Sequence, residues 1–396
     1  MTTNQLGRVA IIGAGPGGLT LARILQLKGV EVEVYERENS VNARSQGGSL
    51  DLHTESGLYA LQTAELFDKF KELCRPEGED LRIIDKYGVV HYDEVVNDDK
   101  FDRPEIDRGD LRQLLLDSIK PNTIRQDHCL ESVESLGNGQ HKLIFRNGAT
   151  ETVDLVVGAD GAWSRVRPLV SDAKPTYSGV SMVEVSFSKV HDRHPEISKL
   201  VGRGTLNALS DNKGLLAQRN GNNIIRVYIT FRAPENWITE SGVDFNQTEQ
   251  ARTHSLQLFS DWNEKLLDFV RLCDDNFIPR LLYVLPVDHQ WETKPGVTLL
   301  GDAAHLMSPF AGEGVNLAML DATELALAIT GSGELTKAIH EYEQKMFSRA
   351  SGFARESASN LDLFISEGDS AEKVANLFKM MMAGGPPGDE TASAVE

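Results

Sequence analysis

Near the N-terminus, residues 8–38 carry the sequence RVAIIGAGPGGLTLARILQLKGVEVEVYERE, which predicts a strand, a glycine-rich turn, a helix and a second strand. The run RVAII has the length and apolar character of a buried strand, and LTLARILQL has the apolar spacing of a helix. VEVEVYE then alternates between apolar and polar residues, as a strand does. The stretch therefore predicts a βαβ unit and places the chain in the α/β class.

Three glycines in this turn, Gly13, Gly15 and Gly18, form a GxGxxG motif. The first permits a tight turn, the second lets a pyrophosphate approach the backbone, and the third lets the helix pack on the strand. The helix N-terminus then offers N–H groups and a positive dipole end to phosphates. Glu36, at the end of the second strand, is placed to accept hydrogen bonds from ribose hydroxyls. The unit predicts bound NAD, NADP or FAD, and Arg37 either contacts this dinucleotide or is solvated.

Composition narrows the class of protein further. The chain has 396 residues, of which 40% are hydrophobic and 25% charged, as in soluble globular proteins of two or three domains. Its net charge of −19 argues against a broad nucleic-acid or anionic-membrane surface. Three widely spaced cysteines, Cys74, Cys129 and Cys273, predict neither a disulfide framework nor a metal site. With no long apolar run and no signal-peptide pattern, we expect a cytoplasmic protein.

The middle and the end of the chain have different patterns. Short alternating segments over residues 123–160 predict a small antiparallel β element. Residues 177–283 are richer in such patterns, and GLLAQRNGNNIIRVYITF predicts a hairpin with NGNN at its turn. A long helix is expected over residues 335–364, and residues 385–396 are expected to be a disordered tail.

Two later motifs resemble the first in their arrangement, since in each a buried strand is followed by Asp, Gly and other small residues. These are GADGAWSRVR, ending at Arg167, and GDAAHLMSPFAGEGVN over residues 301–316. Together with the first motif, in this order, they resemble the three fingerprints of the class A flavoprotein aromatic hydroxylases. The resemblance covers nearly the whole chain and selects FAD from the three dinucleotides.

This resemblance implies a GR2-type Rossmann-like FAD-binding domain, a β-sheet substrate domain and a C-terminal bridging helix. The FAD-binding domain is expected to be discontinuous, over residues 1–68, 104–172 and 283–333. The substrate domain is expected over residues 69–103 and 173–282, and the helical segment over residues 334–384.

The third motif is expected to hold the flavin. By resemblance, Asp302 hydrogen-bonds a ribityl hydroxyl, and Asp160 of the second motif positions loops at the dinucleotide. A turn into a helix is expected to aim backbone N–H groups at the pyrimidine end of the isoalloxazine, where reduction concentrates negative charge. This turn contains Pro309, Gly312, Gly314, Val315 and Asn316. His305 is expected to pack rather than to carry protons, and no residue is assigned as a catalytic acid or base.

A closer resemblance appears in RSQGGSLDLH (residues 44–53) and FDRPEIDRGDLRQLLLDSI (residues 101–119), which look like segments of the tetracycline-inactivating monooxygenases. It implies that Arg44 contacts NADPH and flavin, that Asp51 lies near the isoalloxazine and that Arg108 hydrogen-bonds the flavin. Arg112 either reaches the same ligand or lies on the surface. Expected substrate contacts are Gln218, Arg219 and Phe310.

The family chemistry implies that NADPH or NADH reduces FAD, which reacts with O₂ to give a C4a-hydroperoxide that hydroxylates an electron-rich aromatic or enolic substrate. Tetracycline inactivation, and hence antibiotic resistance, is one expectation for a monomeric enzyme of this kind. Three alternatives stay open: a hydroxylase of an unrelated polyketide or phenol, a flavin reductase that does not oxygenate, and an FAD-binding interaction protein.

Overall fold

The structure is a computed structural model that describes residues 6–40, 47–97, 101–331 and 333–383. The chain forms two compact units. The first unit comprises Met1–Pro76, Asp99–Ser178 and Tyr283–Ser359, and the second comprises Glu77–Asp98, Gly179–Leu282 and Asn360–Glu396. The helical segment expected at residues 334–384 is thus shared between the units. The assignment of these units to a cofactor domain and a substrate domain stays a prediction, and the expected tail lies outside the described residues.

The strands follow one another along the chain with these bounds. The first eleven are β1 (Val9–Ile12), β2 (Val32–Tyr35), β3 (Ser49–Asp51), β4 (Leu81–Ile84), β5 (Val90–Glu94), β6 (Glu105–Asp107), β7 (Ile124–Arg125), β8 (Leu130–Gly137), β9 (Gln140–Phe145), β10 (Thr150–Val153) and β11 (Leu155–Gly158). The remainder are β12 (Thr176–Phe187), β13 (Thr205–Ser210), β14 (Lys213–Asn220), β15 (Ile224–Arg232), β16 (Ile278–Val284) and β17 (Val297–Leu299).

The α-helices lie between and after these strands. The first seven are α1 (Pro16–Leu27), α2 (Tyr59–Thr63), α3 (Phe67–Lys71), α4 (Arg108–Ser118), α5 (Val190–Arg193), α6 (Pro195–Val201) and α7 (Trp237–Glu240). The others are α8 (Thr248–Leu258), α9 (Glu264–Arg271), α10 (Asp302–His305), α11 (Gly314–Gly331), α12 (Leu335–Phe364) and α13 (Ser370–Met382). Among the described residues, no helix combines the length and the apolar character needed to cross a bilayer.

A five-stranded sheet in the order β17-β11-β1-β2-β7 organises the first unit, and its strand pairs are parallel. Strands β1, β11 and β17 are buried throughout, as expected for a parallel sheet covered on both faces. Helix α1 connects β1 to β2 and packs on α11. A Cβ on Gly17 would lie 2.9 Å from the carbonyl oxygen of Ala318, so this close approach depends on glycine. The predicted α/β class and βαβ unit are confirmed.

Two smaller sheets complete the first unit. Strands β8, β9 and β10 form the antiparallel element predicted over residues 123–160. Strands β3 and β6 form an antiparallel pair in which Asp51 lies opposite Glu105. This pair carries Leu50 and Asp51, the first two residues of the LDLH segment.

A seven-stranded sheet in the order β16-β12-β15-β14-β13-β4-β5 organises the second unit. The predicted hairpin is confirmed as β14 and β15, whose turn contains Asn222 and Asn223, both with positive φ. One face of this sheet is apolar and packs on α6, α8 and α9 around residues such as Val185, Val227 and Phe269. The opposite face carries polar side chains that include Glu184, Gln218 and Arg226.

Candidate functional site

The glycines of the first turn differ in what surrounds them. Gly13 has φ +107°, and a Cβ there would lie 2.4 Å from the carbonyl oxygen of Ala159. A Cβ on Gly18 would lie 2.1 Å from the carbonyl oxygen of Gly13, so α1 can pack on this turn only with glycine. A Cβ on Gly15 would meet no atom of the described residues within 4 Å. Open space beside Gly15 fits the close approach of a ligand to the backbone.

Helix α1 begins at this turn, with Gly15 as its N-cap. It has no side-chain cap and no acidic residue in its first turn. The positive end of its dipole is therefore available to an anion such as a pyrophosphate.

Glu36 lies at the end of β2, beside the same turn. Its Oε2 accepts a hydrogen bond from the backbone N–H of Ala14 at 2.8 Å, and its Oε1 accepts one from Glu38 at 3.0 Å. The carboxylate is thereby fixed at the turn, where it also has the capacity to accept bonds from ribose hydroxyls. Arg37 is exposed, and Arg44 lies outside the described residues.

Asp160 follows β11 at the second motif. Its Oδ2 accepts a hydrogen bond from the backbone N–H of Arg165 at 2.7 Å, whereas its Oδ1 is buried without a partner among the described residues. Burial raises the pKa of this carboxyl. An unpartnered buried acceptor is costly in a folded protein, so it points to a donor supplied by a ligand.

Arg167 joins the second motif to the third. Its side chain is buried, its Nε donates to the carbonyl oxygen of Ala303 at 2.8 Å, and its Nη2 donates to that of Ala162 at 2.8 Å. The two motifs are thus held together by a guanidinium that satisfies backbone carbonyls.

Asp302 begins α10, directly after Gly301, which has φ +57°. Its side chain keeps accessible surface, yet the surrounding protein atoms desolvate the carboxylate and raise its pKa, against the opposing charges of His305, Arg108 and Arg167. The exposed carboxylate has free acceptor capacity, so it is able to accept a hydrogen bond from a ligand hydroxyl group.

His305 and the backbone of the third motif are both hydrogen-bonded to Asp321 of α11. Its Nε2 lies 2.6 Å from Oδ2 of Asp321, which also accepts the backbone N–H of Gly301 at 3.0 Å, and Arg349 pairs with the other oxygen of Asp321. Burial disfavours the imidazolium, but the charge and hydrogen bond of Asp321 outweigh it and raise the pKa of His305. These contacts give His305 a structural role.

The turn before α11 combines a glycine in the left-handed backbone conformation with open space beside a second glycine. Pro309 begins a short 3₁₀ turn that contains Phe310, and Gly312 follows it with φ +70°, a region that favours glycine. Within the part of the chain that the structure describes, a Cβ on Gly314 would meet no atom within 4 Å, and the first turn of α11 has no acidic residue. Val315 is buried behind this turn. Backbone N–H groups at the start of α11 are therefore open to an electron-rich ligand edge.

Asn316 is buried, and its side chain is used entirely within the protein. Its Oδ1 accepts bonds from the backbone N–H groups of His53 at 2.9 Å and Gly57 at 3.2 Å. Its Nδ2 donates to the carbonyl oxygens of Asp51 at 3.0 Å and Gly312 at 3.3 Å. Any contact of Asn316 with a cofactor must come from its backbone.

A buried imidazole between two carboxylates lies beside this turn, and the sequence patterns did not reveal it. His53 Nε2 lies 2.8 Å from Asp51 Oδ2, and His53 Nδ1 lies 3.0 Å from Glu313 Oε1. Burial disfavours the charged ring, but these hydrogen bonds outweigh it and raise the pKa of His53 to about 9. Two sequence features could have indicated this arrangement. They are His53, two residues after Asp51, and Glu313, the acid between Gly312 and Gly314.

Glu105 lies across the β3–β6 pair from Asp51 and is buried. Its carboxyl bonds to the hydroxyl of Ser49, and burial together with the charge of Asp51 raises its pKa. Arg108 begins α4 just beyond this pair, where its backbone N–H donates to Gly48, and Arg112 is buried rather than on the surface.

The predicted substrate residues Gln218 and Arg219 lie on opposite faces of β14, because successive side chains of a strand alternate. Arg219 is on the face that packs on α6: its Nε donates to the carbonyl oxygen of Gly202 at 2.9 Å, and its Nη2 donates to that of Ser198 at 2.7 Å. The two residues therefore do not face one ligand together, and Arg219 fastens α6 to the sheet.

Gln218 shares its face with an ion-pair cluster that the sequence analysis missed. It pairs with Arg226 across β14 and β15, and the same face of β12 carries Glu184. Glu184 is buried and pairs with Arg226 and, at 2.7 Å, with Arg280. We call these three residues the Glu184 cluster. Its members come from three strands, so no local sequence motif indicates the cluster.

Comparison with known proteins gives these features a context. The chain matches the family of the FAD binding domain over residues 7–257 and 288–355, which is most of its length. It is 31% identical to monooxygenase penA of Penicillium thymicola over 96% of this chain and 100% of that protein.

Solved structures of other proteins have a similar fold over nearly the whole chain. An FAD-containing monooxygenase from Photorhabdus luminescens is 27% identical, with a TM-score of 0.73 over 91% of this chain and 98% of that one. The tetracycline destructase Tet(55) is 21% identical, with a TM-score of 0.74 over 97% of this chain and 96% of that one, and shows the shared fold alone. The chain belongs to the FAD-binding-domain family of class A flavin-dependent monooxygenases.

Proposed function

We propose that this monooxygenase uses NADPH or NADH and O₂ to hydroxylate an electron-rich aromatic or enolic small molecule, with tetracyclines as the first class to test. The observation that carries the proposal is the joining of three glycine-bearing turns in the first unit. Gly13 packs against Ala159 of the second motif, and Arg167 bonds the second motif to Ala303 of the third. Together these turns form one extended cradle for FAD.

At the dinucleotide end of this cradle, the start of α1 binds the pyrophosphate and Glu36 accepts ribose hydroxyls. The open space beside Gly15 and the unpartnered Oδ1 of Asp160 support this placement. Arg37 and Arg44 remain proposed contacts of the dinucleotide.

At the flavin end, the Asp302 carboxylate binds a ribityl hydroxyl, and the N–H groups at the start of α11 face the pyrimidine ring. Asp51 lies beside the same turn, and Arg108 lies at the end of the β3–β6 pair next to it. Bound FAD supplies O₂ activation and oxygen-atom transfer. The protein's own groups bind and orient the flavin, so none of them needs to act as a nucleophile.

The polar side chains on one face of the second unit's sheet are suited to an oxygen-rich, electron-rich substrate. Gln218 can both donate and accept hydrogen bonds, and the guanidinium groups of the Glu184 cluster favour phenolate or enolate oxygens. Phe310, on the turn before α11, is a proposed apolar contact. Phenols and polyketides other than tetracyclines fit the same description.

We also propose that the enzyme acts as a monomer in a reducing compartment such as the cytoplasm. Cys74, Cys129 and Cys273 are all free, which supports this location.

The test is a screen of NADPH and NADH oxidation with an oxygen electrode, against tetracyclines and a panel of phenols, followed by mass analysis of the products. The expected result is oxygen uptake stimulated by at least one substrate, with a product heavier by one oxygen atom. Substrate turnover without oxygen uptake would instead identify a flavin reductase. Absence of both, in protein that carries FAD, would favour an interaction protein and overturn the proposal.

A further inference from the structure

His53 is enclosed between two acids in a way that only a protonated ring satisfies. Each ring nitrogen faces a carboxylate oxygen, Nε2 facing Asp51 and Nδ1 facing Glu313. A neutral imidazole has one N–H and one lone pair, so one of its nitrogens would confront a carboxylate without a proton between them. The geometry therefore requires an imidazolium with two charge-assisted hydrogen bonds.

These two bonds connect segments that are far apart in sequence. Asp51 ends β3, His53 is the N-cap of a short π-helix, Thr54–Leu58, and Glu313 lies in the turn before α11. A Cβ on Gly312 would lie 3.6 Å from Asp51 Oδ2, so this turn and the end of β3 are in close contact. A π-helical turn is uncommon and often marks a functional position. The ring thus fastens the turn to the β3–β6 pair.

We propose that His53 is a positioning residue for the cofactor: its imidazolium holds the turn at Gly312–Gly314 so that the N–H groups at the start of α11 remain aimed at the flavin. This inference rests on the proposed flavin position. Loss of the ring proton removes one of the two hydrogen bonds and leaves Asp51 and Glu313 as uncompensated neighbours. The turn then loosens and FAD binding weakens.

The direction of the pH dependence follows from the raised pKa of His53. Below the ordinary histidine pKa of about 6.5 the contribution of the imidazolium is fully present, and it is lost as the pH rises through about 9. Other ionisable groups face this ring or its partners. On the elements packed there, these are Asp51, Glu313, Glu105, Asp107 and Arg75, with Glu55 exposed on the π-helix.

The experiment measures the FAD dissociation constant by flavin fluorescence between about pH 6 and 10 for wild type, His53→Gln, Glu313→Gln and His91→Gln. His91 is a matched control, since it also pairs with an acid, Asp85 at 3.2 Å, and both residues belong to the second unit. We expect wild type and His91→Gln to lose about tenfold in affinity through this range, as one charge-assisted hydrogen bond implies.

His53→Gln should bind FAD about tenfold more weakly at neutral pH and show no transition. Glu313→Gln should keep a transition but move it to lower pH, because one of the groups that raise the pKa of His53 is gone. This shift is the readout that a purely structural role would not produce, and it remains available if His53→Gln folds poorly.

A transition that persists in His53→Gln would assign the titration to another group, such as Glu105, and overturn the inference. A pH-independent affinity in wild type would overturn it as well, while leaving the FAD site intact. A wild-type protein that fails to bind FAD at any pH would instead overturn the proposed cradle, and the inference with it.

Discussion

The glycine-bearing turns of the first unit and the polar sheet face of the second unit use different parts of the chain for recognition. In the turns, the decisive features are backbone conformation and the absence of a side chain, as at Gly13 and Gly15. On the sheet face, they are long charged side chains, Glu184 with Arg226 and Arg280.

This difference has a consequence for specificity. Backbone N–H groups and helix dipoles bind phosphates and electron-rich ring edges that every FAD molecule presents. Side chains on a sheet face can be replaced one at a time without disturbing the strand order. The first region therefore suits an invariant cofactor, whereas the second suits a substrate that differs between enzymes of one fold.

The largest expected effect tests whether the first turn depends on packing. Gly18→Val should prevent stable folding, because its Cβ would lie 2.1 Å from a backbone oxygen, at a cost of at least about 3 kcal/mol. Gly15→Val is the matched control, since its Cβ meets open space, and apo-protein with this change should unfold at close to the wild-type temperature. Thermal denaturation followed by circular dichroism measures both. Equal destabilisation of the two variants would contradict the distinction.

The second prediction concerns the Glu184 cluster. Glu184→Ala should lower the free energy of unfolding by about 1–3 kcal/mol, because Arg226 and the half-exposed Arg280 both lose the buried carboxylate that accepts their hydrogen bonds. Glu249→Ala is the control, since this exposed residue pairs with Arg252 at 3.9 Å and should change stability by less than about 1 kcal/mol. Urea unfolding measures both. Equal values would show that the cluster is not a buried network.

The third prediction returns to the cofactor cradle. Asp302→Ala should weaken FAD binding by roughly 10- to 100-fold, because a charge-assisted hydrogen bond to a ribityl hydroxyl is lost, and the purified protein should be largely colourless. Asp172→Ala serves as control, because Asp172 is an exposed acid outside the three motifs. The measurement is the flavin absorbance per protein chain. Full flavin content in Asp302→Ala would remove Asp302 from the site.

The smallest expected effects separate the two neighbours on β14. Gln218→Ala should raise the substrate KM about fivefold with little change in FAD affinity, as the loss of one neutral hydrogen bond implies. Arg219→Ala should leave KM unchanged and lower stability by about 1–3 kcal/mol, because backbone carbonyls on α6 lose their donor. Steady-state kinetics and urea unfolding test both. A raised KM in Arg219→Ala alone would reverse the assignment.

The turns could be predicted from sequence because their requirements are local. Gly13, Gly15 and Gly18 lie within one strand–turn–helix segment, so their spacing alone predicts both the fold and the ligand class. The hairpin of β14 and β15 was equally predictable, since Asn222 and Asn223 favour the positive φ that its turn requires.

The rest depended on contacts between distant residues. His53 and Glu313 are 260 positions apart, and the Glu184 cluster joins three strands, so neither follows from spacing. Gln218 and Arg219 were grouped because they are adjacent in sequence, although adjacent strand residues point to opposite faces. The expected domain limits stay a prediction, and helix α12 has residues in both units.

The central claim, that backbone turns grip FAD, is tested most directly by titrating FAD into apo-protein of wild type and Gly15→Val while following flavin fluorescence. We expect wild type to bind one FAD per chain, and the folded Gly15→Val variant to bind at least about 100-fold more weakly, because its side chain occupies the space meant for the pyrophosphate. Equal FAD affinity in the two proteins would contradict the account.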